Sequence, residues 1–212
     1  YPFTIEDSNG EMVTISQPPV RIIAIDASVV EFLFLMGEGH RIVGVHNLVS
    51  YPPEVEDVNS LGDAFSLDLE KITELNPDLV TIFFDTPVKG IKNLGVNTLF
   101  LKSPSSLQGV SDRMRLWGRI IGNPAVGEQI ASQFEQSIVD IQNKVSVVGD
   151  GPRIYHDASP GLWTSGSGSL SSEVYKLLHA NNIFSDISGF KQVSSEEIVS
   201  RDPEVIISVY PE

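Results

Sequence analysis

The side chains best suited to hold another molecule in this chain are aromatic. Tyr51, Phe65, Phe84, Tyr155, Trp163 and Phe190 all fall where loops are expected, just after short apolar runs. Flat apolar rings grip a large guest through contact area and stacking. Clear cations in the same segments are limited to Lys89 and Lys191, which disfavours a highly anionic guest. The ingredients of catalysis are thin. No Gly-x-Ser-x-Gly elbow occurs, and His156 beside Asp157 does not make a triad. His40, His46, His156 and His179 are scattered, unlike the ligands of a zinc site. The absence of cysteine removes disulfides, thiolate nucleophiles, zinc–thiolate sites and iron–sulfur clusters together. The run Ser165-Gly-Ser-Gly-Ser169 precedes an expected helix at Leu170 and could offer backbone N–H groups to an anionic or amide group. An ordinary turn is the plainer reading, and no Gly-Lys-Ser/Thr follows to make a phosphate loop.

Composition narrows the classes further. The chain has 212 residues, 41% of them hydrophobic and 20% charged, which suits a globular protein with a core. Fourteen Lys and Arg against 28 Asp and Glu give a net charge of −14. Phosphate backbones and anionic lipid surfaces would repel such a chain, so nucleic acid is not an expected partner. No apolar run reaches the ~18 residues that span a bilayer. The sequence starts at Tyr1, as expected of a chain whose targeting segment is absent, or of one beginning at an arbitrary point.

The elements that must position these residues alternate in type. Residues 21–26 (RIIAID) read as a buried strand. Ser28-Val-Val-Glu31 has the form of a capping box, and the apolar segment behind it ends at Gly37, so a helix follows. Residues 41–45 are a second expected strand, 67–75 a helix, 78–84 a third strand and 96–101 a fourth. The alternation argues for a mainly parallel sheet covered on both faces. Ligands of such sheets sit beyond the C-terminal ends of the strands, here residues 26–28, 46–51, 62–66, 84–87, 155–163 and 189–191.

The pattern then repeats. Leu69-Glu70-Lys71-Ile72 leads to Asn76-Pro77-Asp78-Leu79-Val80, and 126 residues on (69 to 195) Ser195-Glu196-Glu197-Ile198 leads to Asp202-Pro203-Glu204-Val205-Ile206. The run from Ile23 to Ser28 is echoed 131 residues on (23 to 154) by Ile154 to Ser159. Two similar lobes are expected. Between them, Ile130, Phe134, Ile138, Ile141 and Val145 are spaced as on one helix, over residues 125–147. A helix of that length spans about 35 Å and is a stiff connector, with a surface helix of the first lobe as the alternative. The expected organisation is therefore a first lobe over 1–123, a connecting helix within 124–150, and a second lobe over 151–212. The second lobe is expected to be incomplete, because it stops where the first continues through residues 85–122.

Residues 21–55, LGDAFSLDLEKITELNPDLV and the stretch from Ser159 to Ile207 resemble the substrate-binding proteins of ABC importers for cobalamin, haem and iron–siderophores. That resemblance implies an α/β fold of two Rossmann-like lobes joined by a single long helix, the class III arrangement. It implies a binding protein rather than an enzyme, acting as a monomer, periplasmic or extracellular and membrane-anchored. It implies no resident cofactor, since any metal belongs to a chelate ligand. A corrinoid is the leading ligand, with haem or a ferric siderophore, or a ligand-sensing role for the same fold, as alternatives. Cobalamin binders place an aromatic before the second lobe's Thr-Ser-Gly, where Trp163 stands, and another near the Gln-Val-Ser helix entry, where Phe190 stands. Leu48 takes the usual tyrosine position and Ala64 the usual tryptophan position, with Phe65 adjacent. Haem relatives use Tyr or His on iron, which keeps His46, Tyr51, Tyr155 and His156 as candidates. Glu70 and Glu196 resemble the paired acidic knobs that dock on arginines of the permease subunits, although a carboxylate in a first helical turn is favoured by the macrodipole in any case.

Overall fold

The computed structural model describes residues 1–145, 149 and 151–210. These divide into two compact units, the first comprising Tyr1–Ser103 and Asp112–Ala131, the second Pro104–Ser111 and the described residues from Ser132 onward.

The first unit opens with a hairpin that the sequence did not signal, β1 (Phe3–Glu6) against β2 (Met12–Ile15). Then follow β3 (Ile22–Ala24), α1 (Ala27–Leu35), β4 (Ile42–Val45), β5 (Asn59–Ser60), β6 (Gly62–Asp63), β7 (Ser66–Leu67), α2 (Leu69–Glu74), β8 (Leu79–Ile82), α3 (Val88–Lys92) and β9 (Thr98–Phe100). Five of these strands make an all-parallel sheet in the order β5-β4-β3-β8-β9. Ile22, Ile23, Leu79, Val80 and Ile82 have no exposed surface. Burial on both faces is why these strands read as unbroken apolar runs rather than alternating ones.

The start of α1 corrects the expected capping box. Asp26, not Ser28, is the N-cap: its Oδ1 accepts from the Ser28 N–H at 2.9 Å and from the Ser28 hydroxyl at 2.7 Å. A carboxylate fixed at the end of β3 takes the first free amide, and Ser28 is spent as a donor to it.

After α4 (Leu107–Ile120) and α5 (Pro124–Val145), the second unit continues with β10 (Arg153–Asp157), β11 (Trp163–Ser165), α6 (Leu170–Leu177), β12 (Asn181–Asn182), β13 (Phe190–Gln192), α7 (Ser195–Arg201) and β14 (Val205–Ser208). Its parallel sheet has three strands among the described residues, in the order β12-β10-β14, and β11 pairs antiparallel with β13. Val205 and Ile206 of β14 are exposed, whereas their counterparts Leu79 and Val80 in β8 are buried between two neighbours.

The repeat is built into both units, and its physical basis is a clasp. Asn76 and Asp202 each end a helix with positive φ, at 44° and 49°, so the chain turns sharply before a proline. The acidic residue after that proline then reaches the entry of the neighbouring strand. Asp78 accepts from the Val20 and Arg21 N–H groups, and Glu204 accepts from the Arg153 N–H at 2.8 Å. The two arginines answer by donating to the turn: Arg21 Nε to the Leu75 and Asn76 carbonyls, Arg153 Nε to the Asp202 carbonyl. The clasp also corrects the register of the echo. Ile22 pairs with Leu79 and Ile154 with Val205, so the first strands match 132 residues apart (22 to 154) rather than 131. The Asp-Ala-Ser match is out of step with the strands, and only in the first unit does it open a helix.

Helix α5 is 22 residues long and begins at Pro124 as expected. Residues 146 and 147 of the expected helix, and 211 and 212 of the expected second lobe, lie outside the described residues. The helix is not a body of its own, since its residues through Ala131 group with the first unit and those from Ser132 with the second. Within the first unit, α5 meets α4 at two glycines. A Cβ on Gly118 would lie 2.6 Å from the Gly127 Cα, and one on Gly127 2.8 Å from the Gly118 Cα.

Candidate functional site

In the first unit two rings meet beyond the C-terminal ends of the parallel strands, one exposed and one half-buried against the core. Phe65 sits on the turn between β6 and β7, its N–H bonded to Asp63 Oδ1 at 2.8 Å, and it is 70% exposed. Phe84 follows β8, and the two ring centroids are 4.7 Å apart. Leu48 is exposed in the loop after β4. Tyr51 is exposed too, but it stands beside Glu31, Phe34 and Leu35 of α1. His46 is buried, its Nδ1 accepting from the Leu48 N–H at 3.3 Å. Burial lowers its pKa, opposed by Asp63 and Asp26.

Sequence reasoning missed one cation here. Arg113 on α4 donates from Nη2 to the Lys102 carbonyl at 2.8 Å, just past the end of β9, while its Nη1 is buried without a partner. Burial lowers its pKa, opposed by Asp26. The helix carrying it was not assigned from sequence, so its inward arginine went unnoticed.

In the second unit the four expected ligand residues part into two pairs. Tyr155 and His156 lie within β10, not in the loop after it, and both are buried. Tyr155 packs with Ile183, Phe184 and Val193, and burial together with neighbouring Asp157 pushes its pKa up to about 12. His156 Nδ1 meets the Tyr175 hydroxyl at 2.5 Å inside the unit. Both therefore stand inside the sheet, which corrects their expected place among the loop residues. The strand extends further than its apolar residues suggested, and β10 is central in its sheet, with neighbours on both edges.

Trp163 and Phe190 are the exposed pair. The register of β11 on β13 sets Trp163 opposite Gln192 and Ser165 opposite Phe190, so the two rings are diagonal neighbours on one face. They stack with centroids 6.5 Å apart and planes at 23°, and Phe190 is 58% exposed. The Gly-rich run beside them is used internally. Ser169 caps α6 by accepting from the Ser172 N–H, and Ser165 bonds Ser171 at 2.6 Å. A Cβ on Gly166 would lie 2.2 Å from the Ile187 carbonyl oxygen, so glycine is required there by close packing.

Glu70 and Glu196 occupy the same place in their helices, two residues after the N-caps Asp68 and Ser194. Both are exposed. Among the described residues no group of three or more His, Asp or Glu could hold a metal ion, and no helix is long and apolar enough to cross a membrane.

The buried histidines give a pH prediction. The unfolded chain protonates His156 near pH 6.5, whereas the folded chain, with a lowered pKa, resists the proton. The unfolded state therefore binds more protons on acidification. Stability is full above about pH 6.5 and falls as pH drops through that value. His46 carries the same sign. In His156→Asn the loss of urea midpoint between pH 7.5 and 5.5 should shrink, with the part due to His46 remaining. An unchanged loss would show that His156 is not the group responsible.

The model of the family described as "Periplasmic binding protein" matches residues 22–210. The chain belongs to that family. An uncharacterized ABC transporter substrate-binding lipoprotein of Bacillus subtilis, YvrC, is 27% identical, covering 98% of this chain and 69% of that protein. A cobalamin-binding protein of Halobacterium salinarum is 25% identical over 98% of this chain, which spans only 58% of that relative's length. Among solved structures, the periplasmic vitamin B12 binding protein BtuF of Vibrio cholerae matches with a TM-score of 0.77 at 25% identity, over 90% of this chain and 76% of that one. These relatives are named as binding proteins, and the mixed α/β fold of this chain, with its parallel sheets and long helix, matches that of the Vibrio structure.

Proposed function

We propose that this periplasmic binding protein is the extracytoplasmic capture component of an ABC importer and takes a large chelate of corrinoid type to its permease. The observation that carries the reading is the exposed Trp163–Phe190 stack at the loop edge of the second unit. Folding leaves large rings in water only at a cost, and two stacked on one face of the β11–β13 pair form a ready platform for a flat macrocycle or an apolar ligand face. The Phe65–Phe84 pair supplies a second apolar platform in the first unit. The names of the Halobacterium and Vibrio relatives support a corrinoid in particular. Glu70 and Glu196 are the proposed permease contacts: exposed, duplicated and equivalent in helical position.

Absorbance titration with cyanocobalamin, cobinamide, haem and a ferric hydroxamate tests the ligand. One-to-one saturation by a corrinoid is expected, with the double substitution Trp163→Ala and Phe190→Ala weakening it by roughly 30-fold or more, as loss of a central aromatic contact does. Saturation only by the ferric hydroxamate, or a corrinoid affinity indifferent to the double substitution, would overturn the reading.

A further inference from the structure

A recess of about 290 Å³ lies on the outer side of α1, lined by Glu31, Phe34, Leu35, Tyr51, Pro52 and Glu54. Leu35 and Tyr51 are each 64% exposed, among the most exposed large apolar side chains described. They stand together rather than scattered, and a carboxylate flanks them on two sides. Glu31 comes from α1, and Glu54 from the short helical turn Pro53–Asp57. The nearby basic residues are engaged elsewhere: Arg41 pairs with Glu38, and Arg21 donates to the Leu75 and Asn76 carbonyls. Among the described residues no cation pairs with either acid.

We propose that this recess is a docking point for an arginine side chain projecting from the surface of a protein partner. The volume lies just under the range that holds whole small-molecule ligands and suits one long side chain. An arginine has the matching parts. Its stem lies along Leu35, Phe34 and Pro52, and its planar head sits over the Tyr51 ring with a carboxylate on each side. Aromatic and arginine pairs of this kind, set in an apolar pocket, are the contacts that dominate interfaces. Glu31 is already poised for a cation, since burial and Asp26 raise its pKa and a bound guanidinium reverses that penalty. The inference assigns Tyr51 to partner recognition rather than to the ligand. It stands whether or not the ligand is a corrinoid, and it needs neither Glu70 nor Glu196.

The test is an amide-resolved NMR titration of the whole chain with Nα-acetyl-arginyl-leucinamide and with its citrulline counterpart, which has the same shape without the charge. The arginine probe should move the amides of Glu31, Phe34, Leu35, Tyr51 and Glu54 and saturate at millimolar concentration. The citrulline probe, and the arginine probe on Glu31→Gln/Glu54→Gln, should bind at least about fivefold more weakly. Leu35→Lys, which sets a like charge in the recess, should abolish saturation. Equal affinity for the two probes would mean an apolar slot without charge recognition and would overturn the proposal. So would shifts centred elsewhere, or none by tens of millimolar.

Discussion

Gly118→Ala should cost this protein about 3 kcal/mol of folding stability, even though alanine is the better helix former by up to about 1 kcal/mol. The new methyl would lie 2.6 Å from the Gly127 Cα, 2.9 Å from its nitrogen and 3.0 Å from the Asn123 carbonyl oxygen. All three are backbone atoms, so no side chain can swing aside and α4 must move off α5. Gly127→Ala meets the same obstacle from the other helix, with the Met114 carbonyl oxygen also at 3.0 Å. The contrast is Gly90 in α3, where a Cβ would meet only the Leu69 Cδ1 at 3.7 Å. Gly90→Ala should be neutral or stabilising by up to about 1 kcal/mol. Urea melts followed by circular dichroism separate the cases by sign. A Gly118→Ala protein as stable as the parent would mean that the helices do not cross so closely.

Reversing both carboxylates, Glu70→Arg together with Glu196→Arg, should abolish permease-coupled uptake while leaving ligand affinity within about twofold, since exposed charges act on partner choice and association. Each residue alone should lower uptake partly. Both side chains are exposed in first helical turns. Removing a carboxylate there costs a few tenths to about 1 kcal/mol through the helix dipole, too little to unfold a unit. Uptake by transporter-containing vesicles and equilibrium binding, measured on the same preparation, distinguish docking from structure. Normal uptake by the double variant would refute the docking role.

The features legible in the sequence were the local ones. The alternation of strand-like and helical segments gave the parallel sheet of the first unit, and the spacing from Ile130 to Val145 gave α5. The Asn-Pro-Asp and Asp-Pro-Glu runs marked the repeat because the turn they encode is local: a left-handed residue, a proline, a carboxylate. The illegible features depended on distant partners. Arg21 and Arg153 set the strand register through bonds to residues about 50 positions away, which no pattern within the strand announces. Tyr155 and His156 look like loop residues until β12 and β14 close on either side of β10. Trp163 and Phe190 were legible as loop aromatics and were supported by the family resemblance, yet their stacking follows from a β11–β13 pairing that neither segment's composition signals.

The clasp at Asn76-Pro77-Asp78 and Asp202-Pro203-Glu204 carries a consequence for how such halves diverge. Each of these bonds has one end on a main-chain atom, which substitutions other than proline leave in place. Strand side chains are then free to drift apart between the copies while the same knot keeps being tied. An ancestral doubling can thus stay visible in geometry long after identity has faded, with a three-letter signature as its last written trace.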